Sequence, residues 1–222
     1  MATLTFDTTS TVCAVHLKRA DGIVHEAVAE IGRGHAEHLI GMIDRALGAL
    51  GLDYADLRRL GVATGPGSFA GIRVGLSAAR GLALALEIPL AGVSVLRALA
   101  AEHGQGGPSL VILDAGRDAF YAELFDASGH SPEGPLLHRK QDPFPRQWMD
   151  APGLALIGSG AAYAGALLAR TRMATLASIP SIATIARLCE ADSAPVRPKP
   201  LYLRPPDAKP QASAGLVARR TA

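Results

Sequence analysis

The stretch "TGPGSFAGIRVGLSAARGLAL", Thr64–Leu84, decides the fold, because a glycine-rich turn in it joins a predicted strand, Leu60–Thr64, to a long helix. Gly65 and Gly67 permit a tight turn, and Ser68 is a typical residue at the start of a helix. The turn lacks the lysine of a P-loop. It fits the looser G-x-G-x-x-A dinucleotide pattern, but no acidic residue ends the next predicted strand, which disfavours a Rossmann site. The exposed amides at the helix start remain a candidate anion site.

The helix after this turn is apolar on nearly all sides. One face repeats every three or four residues through Ile72, Leu76, Ala79 and Ala83, and a second face of small residues contains Val74, Ala78, Gly81 and Ala85. A helix that is apolar all round must be buried on more than one side. In a chain this small, an uncovered apolar face is typical of a partner surface.

We therefore predict a protein interface formed by this helix and by the preceding predicted helix, 35–50, which also has a broad apolar face. The residues predicted to form it are Leu39, Ile43, Ala46, Leu47, Leu50, Gly71, Ile72, Gly75, Leu76, Ala79 and Ala83. A purely internal core is the alternative for these residues.

The order of predicted elements indicates an α/β fold with an internal repeat. Three strands precede the helix at 35–50, and strand, helix, strand and helix follow it. "LVILDAGRDAFYAELF" then repeats the pattern of "LTFDTTSTVCAVHL", so that Asp114 corresponds to Asp7. We predict two lobes in the manner of actin-like ATPases (ASKHA, RNase H-like), the second degenerate. The predicted divisions are a lobe at 1–103, a smaller lobe at 108–195 with a polar, proline-rich insertion at 126–150, and a proline-rich basic tail at 196–222.

The turn after the first strand is a candidate nucleotide site. Asp7 is followed by Thr8 and Ser10, and a hydroxyl-rich turn of this type meets phosphate and Mg²⁺ in actin-like ATPases. Asp114 is the candidate counterpart in the second lobe, and ATP or ADP with Mg²⁺ is the candidate ligand. The alternative is that Asp7 caps the turn between two strands.

Other features of the sequence argue against most catalytic and metal sites. The formal net charge is only +2, although residues 195–222 hold six basic residues against one acidic residue. Cys13 and Cys189 form no C-x-x-C pair, and His35 and His38 have no evident third partner, so we predict no metal site. We also assign no catalytic residue. The N-terminus lacks a signal peptide and charged residues interrupt the most apolar run, so a soluble cytoplasmic protein without membrane contact is expected.

The sequence resembles the bacterial TsaB (YeaZ) family over roughly residues 2–209. The resemblance is carried, in order, by "LTFDTTSTVCAVHL", "GHAEHLIGMI", "GPGSFAGIRVGLSAARGLALALEIPLAGVSVL", "LDAGRDAFYAELF" and "PLYLRPPDAK". Two positions depart from the family pattern, which usually has Thr where Ala70 stands and Arg where Gly116 stands.

This resemblance implies an actin-like two-lobed fold without catalysis by the chain alone. It implies a heterodimer with TsaD, the related subunit that transfers a threonylcarbamoyl group to N6 of adenosine 37 in tRNAs reading ANN codons. The small ATPase TsaE would join the assembly, tRNA would bind through the complex, and a homodimer is conceivable in isolation. The competing hypothesis is a stand-alone actin-like ATPase or kinase that uses Asp7 and Asp114.

Overall fold

The chain folds around two five-stranded sheets. The computed structural model describes residues 1–151, 153–169, 171–192 and 197–204. The elements of the first half are β1 Ala2–Asp7, β2 Val12–Arg19, β3 Val24–Glu30, α1 His35–Ala49, β4 Leu57–Ala63, α2 Phe69–Leu86, β5 Leu90–Val93 and α3 Val95–His103. Those of the second half are β6 Ser109–Gly116, β7 Ala119–Phe125, β8 Leu136–Arg139, α4 Arg146–Met149, β9 Ala155–Ile157, α5 Ala161–Leu167, β10 Arg172–Thr175 and α6 Ile182–Ala191.

The two sheets have the same topology. Strand order is β3-β2-β1-β4-β5 in the first sheet and β10-β9-β6-β7-β8 in the second, which is the same order read from the other edge. In each sheet the first strand is central, pairs antiparallel with the second and parallel with the fourth. The predicted α/β fold with two repeated lobes of the actin-like type is therefore confirmed.

The second lobe retains the helices and strands of the first, but its two crossover helices are much shorter. Its helices α4 and α5 contain four and seven residues, whereas α1 and α2 contain 15 and 18. Residues 126–150 were expected to be an insertion, but they include β8, which pairs with β7. The strand β10 was also missed. Both strands are four-residue edge strands, too short for a periodic apolar pattern to be recognised.

The last helix of each half packs against the sheet of the other half. The helix α6 lies on the first sheet, where Ile185 and Cys189 join Ala63 and Val93 in one buried cluster. The Arg59 guanidinium donates hydrogen bonds to the Cys189 and Asp192 carbonyls at the end of α6. Conversely, the helix α3 of the first half packs on the second sheet. The paired helices α3 and α6 thus join the lobes.

The cores of the two lobes differ in composition. On the face of the first sheet that α1 and α2 cover, the core is largely aliphatic, with Leu4, Ile43 and Ile72 fully buried. In the second lobe, Trp148, Phe120 and Phe144 form an aromatic cluster. The short helices of this lobe therefore rely on large rings to fill the space beside the sheet.

Candidate functional site

The turn between β4 and α2 is held against the turn between β1 and β2. A Cβ atom on Gly67 would lie 2.1 Å from the Thr9 carbonyl oxygen, and one on Gly71 would lie 1.9 Å from that of Thr8. The Ser68 amide donates to the Thr9 carbonyl at 2.7 Å, and the Ser68 hydroxyl accepts from the Gly71 amide. The glycines therefore allow two loops to touch, and the interpretation of Ser68 as a helix cap is confirmed.

Most residues predicted to form the partner interface are buried inside the chain itself. Leu39, Ile43, Ala46, Leu47, Gly71, Ile72, Gly75, Leu76 and Ala79 are all buried, and Leu50 and Ala83 are half-buried. This part of the prediction is corrected: the most regular apolar stripe of each helix covers the chain's own first sheet. The choice of α1 and α2 as interface helices is a separate question, which burial in a single chain does not test.

The second face of α2 lies at the surface. Of the 18 residues of α2, five are buried, and a further five, Val74 and Ala78 among them, are half-buried against the first-lobe core. The other eight are exposed, although the helix is apolar and long enough to cross a membrane. Its outward ridge is formed by small or short side chains: Ala70, Val74, Ser77, Gly81 and Ala85. This ridge is therefore narrow and smooth, which allows close approach of another helix, and the exposed Leu84 projects beside it.

A shallow groove of about 360 Å³ runs between this ridge and α1. Ala36 and Ile40 line it from α1, and Val74, Ser77 and Ala78 line it from α2. Ile40 is 44% exposed, although it is a large apolar side chain. An apolar groove between two exposed helices is a suitable docking site for a helix of a partner.

The two lobes meet at a cleft of about 400 Å³ that contains both aspartates of the internal repeat. Asp7 accepts a hydrogen bond from the Thr9 amide at 2.7 Å, and Asp114 accepts one from the Gly116 amide at 2.8 Å. Each aspartate thus closes an Asx turn onto the residue two positions ahead. This confirms that Asp7 caps its turn, and the same local role explains Asp114.

The environment of Asp7 and Thr8 does not fit the phosphate and Mg²⁺ of a nucleotide. Asp7 is 3% exposed and accepts the Thr9 amide, so little of its carboxyl is open to a ligand, and burial raises the pKa of this carboxyl. The Thr8 hydroxyl donates to the Gly71 carbonyl at 2.7 Å. The Ser10 hydroxyl accepts from the Val12 amide at 3.1 Å. All three predicted phosphate ligands of the first turn are therefore engaged within the chain: Asp7 and Ser10 with amides of the turn, and Thr8 with α2.

The described residues contain no group of three His, Cys, Asp or Glu side chains placed to hold a metal ion. His35 is buried at the start of α1, where its Nε2 atom has no hydrogen-bond partner, whereas His38 is exposed. The two imidazoles of "HAEH" therefore lie in different environments.

Sequence reasoning predicted order in the tail around Leu201–Arg204 but missed the contacts by which residues 197–204 form a strap. The strap runs along the flank of α2 opposite to α1: the Arg80 guanidinium donates to the Pro198 carbonyl at 2.7 Å, and the Tyr202 ring stacks on Phe69 at 4.5 Å. The Leu201 amide donates to the Thr64 carbonyl, and Arg204 donates to the Gly116 carbonyl of the second lobe. Its prolines and absence of periodicity gave no local signal of these contacts. The rest of the predicted tail, 196 and 205–222, lies outside the described residues.

Comparison with known proteins connects this architecture to one family. A sequence model described as "TsaD: tRNA N6-adenosine threonylcarbamoyltransferase" matches residues 8–131. The TsaB protein of Escherichia coli, described as a tRNA threonylcarbamoyladenosine biosynthesis protein, is 32% identical over 141 residues, which cover 64% of this chain and 60% of that protein. The chain belongs to the TsaB (YeaZ) family. A Mycobacterium tuberculosis protein described as uncharacterized is 36% identical over 94% of both chains.

Solved structures agree with the family at the level of the fold. A Pseudomonas aeruginosa protein described as similar to the peptidase YeaZ has a TM-score of 0.73 at 23% identity, covering 91% of this chain and 99% of that one. YeaZ from the same organism has a TM-score of 0.68 at 23% identity, covering 86% and 91%. Named TsaB proteins belong to the biosynthesis of threonylcarbamoyladenosine in tRNA, and this family membership is therefore the starting point for function.

Proposed function

We propose that this chain is a non-catalytic partner subunit that dimerises with TsaD and supports threonylcarbamoyl transfer to N6 of adenosine 37 in tRNAs reading ANN codons. The observation that carries the proposal is the open surface of α1 and α2, combined with membership of the TsaB family. TsaE would join this assembly in the cytoplasm, and tRNA would bind through the complex. In this proposal, ATP or ADP with Mg²⁺ would bind at the interface of the complex.

The docking surface in this proposal is the outward ridge of α2 together with the groove against α1. It replaces the buried residues of the sequence-based prediction with their neighbours: Ile40, Ser77 and Gly81, which are exposed, and Val74 and Ala78, which are half-buried. The ridge presents no side chain larger than valine, so a partner helix could approach to roughly 8–10 Å between axes. The same surface could pair two copies of this chain in isolation, because a groove and a ridge on one patch are self-complementary.

A Gly81→Glu substitution tests the docking surface without disturbing the monomer. Gly81 is exposed within α2, and no atom lies within 4 Å of the position of an added Cβ. Glutamate also has a higher helix propensity than glycine, so the fold should be retained. Gly165→Glu in α5 is a matched control, because Gly165 is also an exposed glycine within a helix.

We expect Gly81→Glu to abolish the heterodimer with TsaD on size-exclusion chromatography, and Gly165→Glu to retain it. In an assay with unmodified tRNA, TsaD, TsaE and threonylcarbamoyl-adenylate, modification should require this chain and should be lost with Gly81→Glu. Unchanged modification without the chain would reject the proposed function. A heterodimer that survives Gly81→Glu would reject only the docking surface.

A stand-alone ATPase or kinase is the second candidate, favoured by the presence of Asp7 and Asp114 in one inter-lobe cleft. The buried carboxyl of Asp7 and the engaged hydroxyl of Thr8 weigh against it. Purified chain free of contaminating ATPases should show no ATP turnover. Turnover that disappears with Asp7→Asn would establish this second candidate instead.

A further inference from the structure

A second groove, of about 710 Å³, lies on the strap side of α2 near the end of the helix. Its apolar lining includes Ala83, Leu84, Ile88 and Leu90. Leu84 is 80% exposed, more than any other large apolar side chain in the described part of the protein. An exposed leucine beside a groove gives a partner an apolar side chain to bury.

The rim of this groove is positively charged. Arg80, Arg197 and Lys199 line it, and Glu87 is its one acidic residue among those described. The Arg80 guanidinium is engaged with the Pro198 carbonyl, which fixes the strap that carries the other two cations. Within the described residues, no carboxylate lies within ion-pair distance of Arg197 or Lys199. The groove thus combines an exposed leucine with two uncompensated cations.

We propose that this groove binds an acidic segment of a partner protein. An apolar side chain of that segment would pack on Leu84 and Ile88, and a neighbouring carboxylate would pair with Arg197 or Lys199. An apolar anchor supplies affinity, and complementary charge at the rim supplies register and specificity. Nucleic acid fits less well, because an apolar lining offers nothing to a phosphate backbone. The chain's own residues 205–222 fit poorly as well, since they carry three basic residues and one acidic residue.

The inference is independent of the proposed function. Val74 and Ala78 face the groove against α1, whereas Arg80 and Leu84 lie on the opposite flank of α2. A TsaD subunit docked on the ridge would reach Gly81 and Ala85 beside Leu84, so Arg197 and Lys199 on the strap are the part of the groove that distinguishes a separate segment.

A photo-crosslinking experiment tests this groove. p-Benzoyl-phenylalanine is placed at Leu84 of the full-length chain in its native host, the cells are irradiated, and the cross-linked peptides are mapped by mass spectrometry. The same label at Leu167, which is 60% exposed on the second lobe, is the control for non-specific capture. We expect an adduct at Leu84, absent at Leu167, with a peptide of another protein that has net negative charge at the contact.

Charge reversal then separates the proposed site from accidental apolar contact. The double variant Arg197→Glu/Lys199→Glu should reduce the adduct at least about tenfold, which corresponds to roughly 1.4 kcal/mol. Arg139→Glu/Arg146→Glu, two exposed arginines of the second lobe, should leave it unchanged. Circular dichroism should show equal folding for both variants.

Several outcomes would overturn the inference. These are an adduct with RNA, with a second copy, or with residues 205–222 of the same chain; an adduct that survives charge reversal; and no adduct at all. Heterodimer formation with TsaD is measured on the same variants, so that loss of the groove partner with an intact heterodimer is distinguished from failure of the proposed function.

Discussion

The first and second lobes share one topology but differ in the length of their crossover helices and in the composition of their cores. In the first lobe the crossover helices are long, and α2 leaves a smooth apolar ridge at the surface. In the second lobe the crossover helices are short, and an aromatic cluster around Trp148 closes the core. The comparison indicates that the repeated βββαβαβα unit fixes the cleft, whereas helix length determines which lobe leaves an apolar helix face at its surface.

The largest expected effect comes from truncating one large buried side chain in the core of each lobe. Trp148→Ala should destabilise the isolated chain by roughly 3–5 kcal/mol, and Ile43→Ala by roughly 2–5 kcal/mol, because both side chains are buried. Denaturant unfolding of the purified chain measures both. An Ile43→Ala variant as stable as the parent would show that Ile43 does not stabilise the core of the isolated chain. That result would favour the original assignment of Ile43 to the partner interface.

A smaller effect is expected from the glycines that end the fourth strand of each lobe. Gly65 follows β4 with φ +96°, and Gly158 follows β9 with φ +105°. A Cβ on Gly158 would also lie 2.5 Å from the Ile112 carbonyl oxygen. Alanine at either position should lower the free energy of unfolding by roughly 1–3 kcal/mol through backbone strain alone. The loss should be larger at Gly158, because there the added Cβ would clash with a backbone oxygen.

Thermal unfolding of Gly65→Ala and Gly158→Ala compares the two positions directly. Gly153→Ala, also at positive φ but with no atom within 4 Å of an added Cβ, separates the strain from the clash. Equal losses at Gly153 and Gly158 would show that the close approach to β6 contributes nothing.

The aspartates of the two turns should respond differently to replacement by asparagine. Asparagine can accept the same Asx-turn hydrogen bond. The pKa of buried Asp7 is raised above its usual value of 3.8, chiefly by burial, so the folded state loses stability as the pH rises above that value and the carboxyl ionises. Asp7→Asn should therefore be more stable than the parent at pH 8 and should lose this advantage near pH 3.

The exposed Asp114 serves as the matched case, and Asp114→Asn should change the unfolding midpoint little at either pH. Chemical denaturation at both pH values measures the contrast. A stabilised Asp114→Asn or a destabilised Asp7→Asn at pH 8 would show that the two turns are not distinguished by burial.

The smallest expected effect concerns one histidine in each lobe. Burial lowers the pKa of His16 and of His138 below 6.5, although Glu26 lies 3.6 Å from His16 and partly opposes the shift. Both histidines contribute stability above pH 6.5 that is lost as the pH falls below it, because protonation is easier in the unfolded chain. His138 stacks on Phe144, and its Nε2 atom has no partner.

His138→Phe should consequently flatten the loss of stability between pH 7 and pH 5, while His16→Phe should also remove the contact with Glu26. Thermal melts across this range provide the test. A pH dependence identical to that of the parent in His138→Phe would mean that this imidazole titrates normally in the folded chain.

Three features could be predicted from the sequence alone: the repeat, the Asp7–Asp114 correspondence and the glycine turn before α2. Each depends on local chemistry, since an Asx turn or a cap is decided by neighbouring residues. The sequence-based prediction assigned to the interface the face of α2 that packs on the sheet. Small apolar residues occupy both faces of the helix, and periodicity does not say which face meets the sheet. The strap at 197–204 and the edge strands β8 and β10 depend on contacts with distant residues, which no local pattern encodes.

The exchange of α3 and α6 between the lobes has a consequence for synthesis on the ribosome. All five strands of the first sheet emerge early, yet Ala63, Ala91 and Val93 are covered by α6, which is translated roughly ninety residues later. Until then, one side of a finished sheet stays open to water or to chaperones. The N-terminal half would therefore be a poor independent fragment, and a nascent chain stalled before Ile182 would expose a flat apolar surface prone to aggregation.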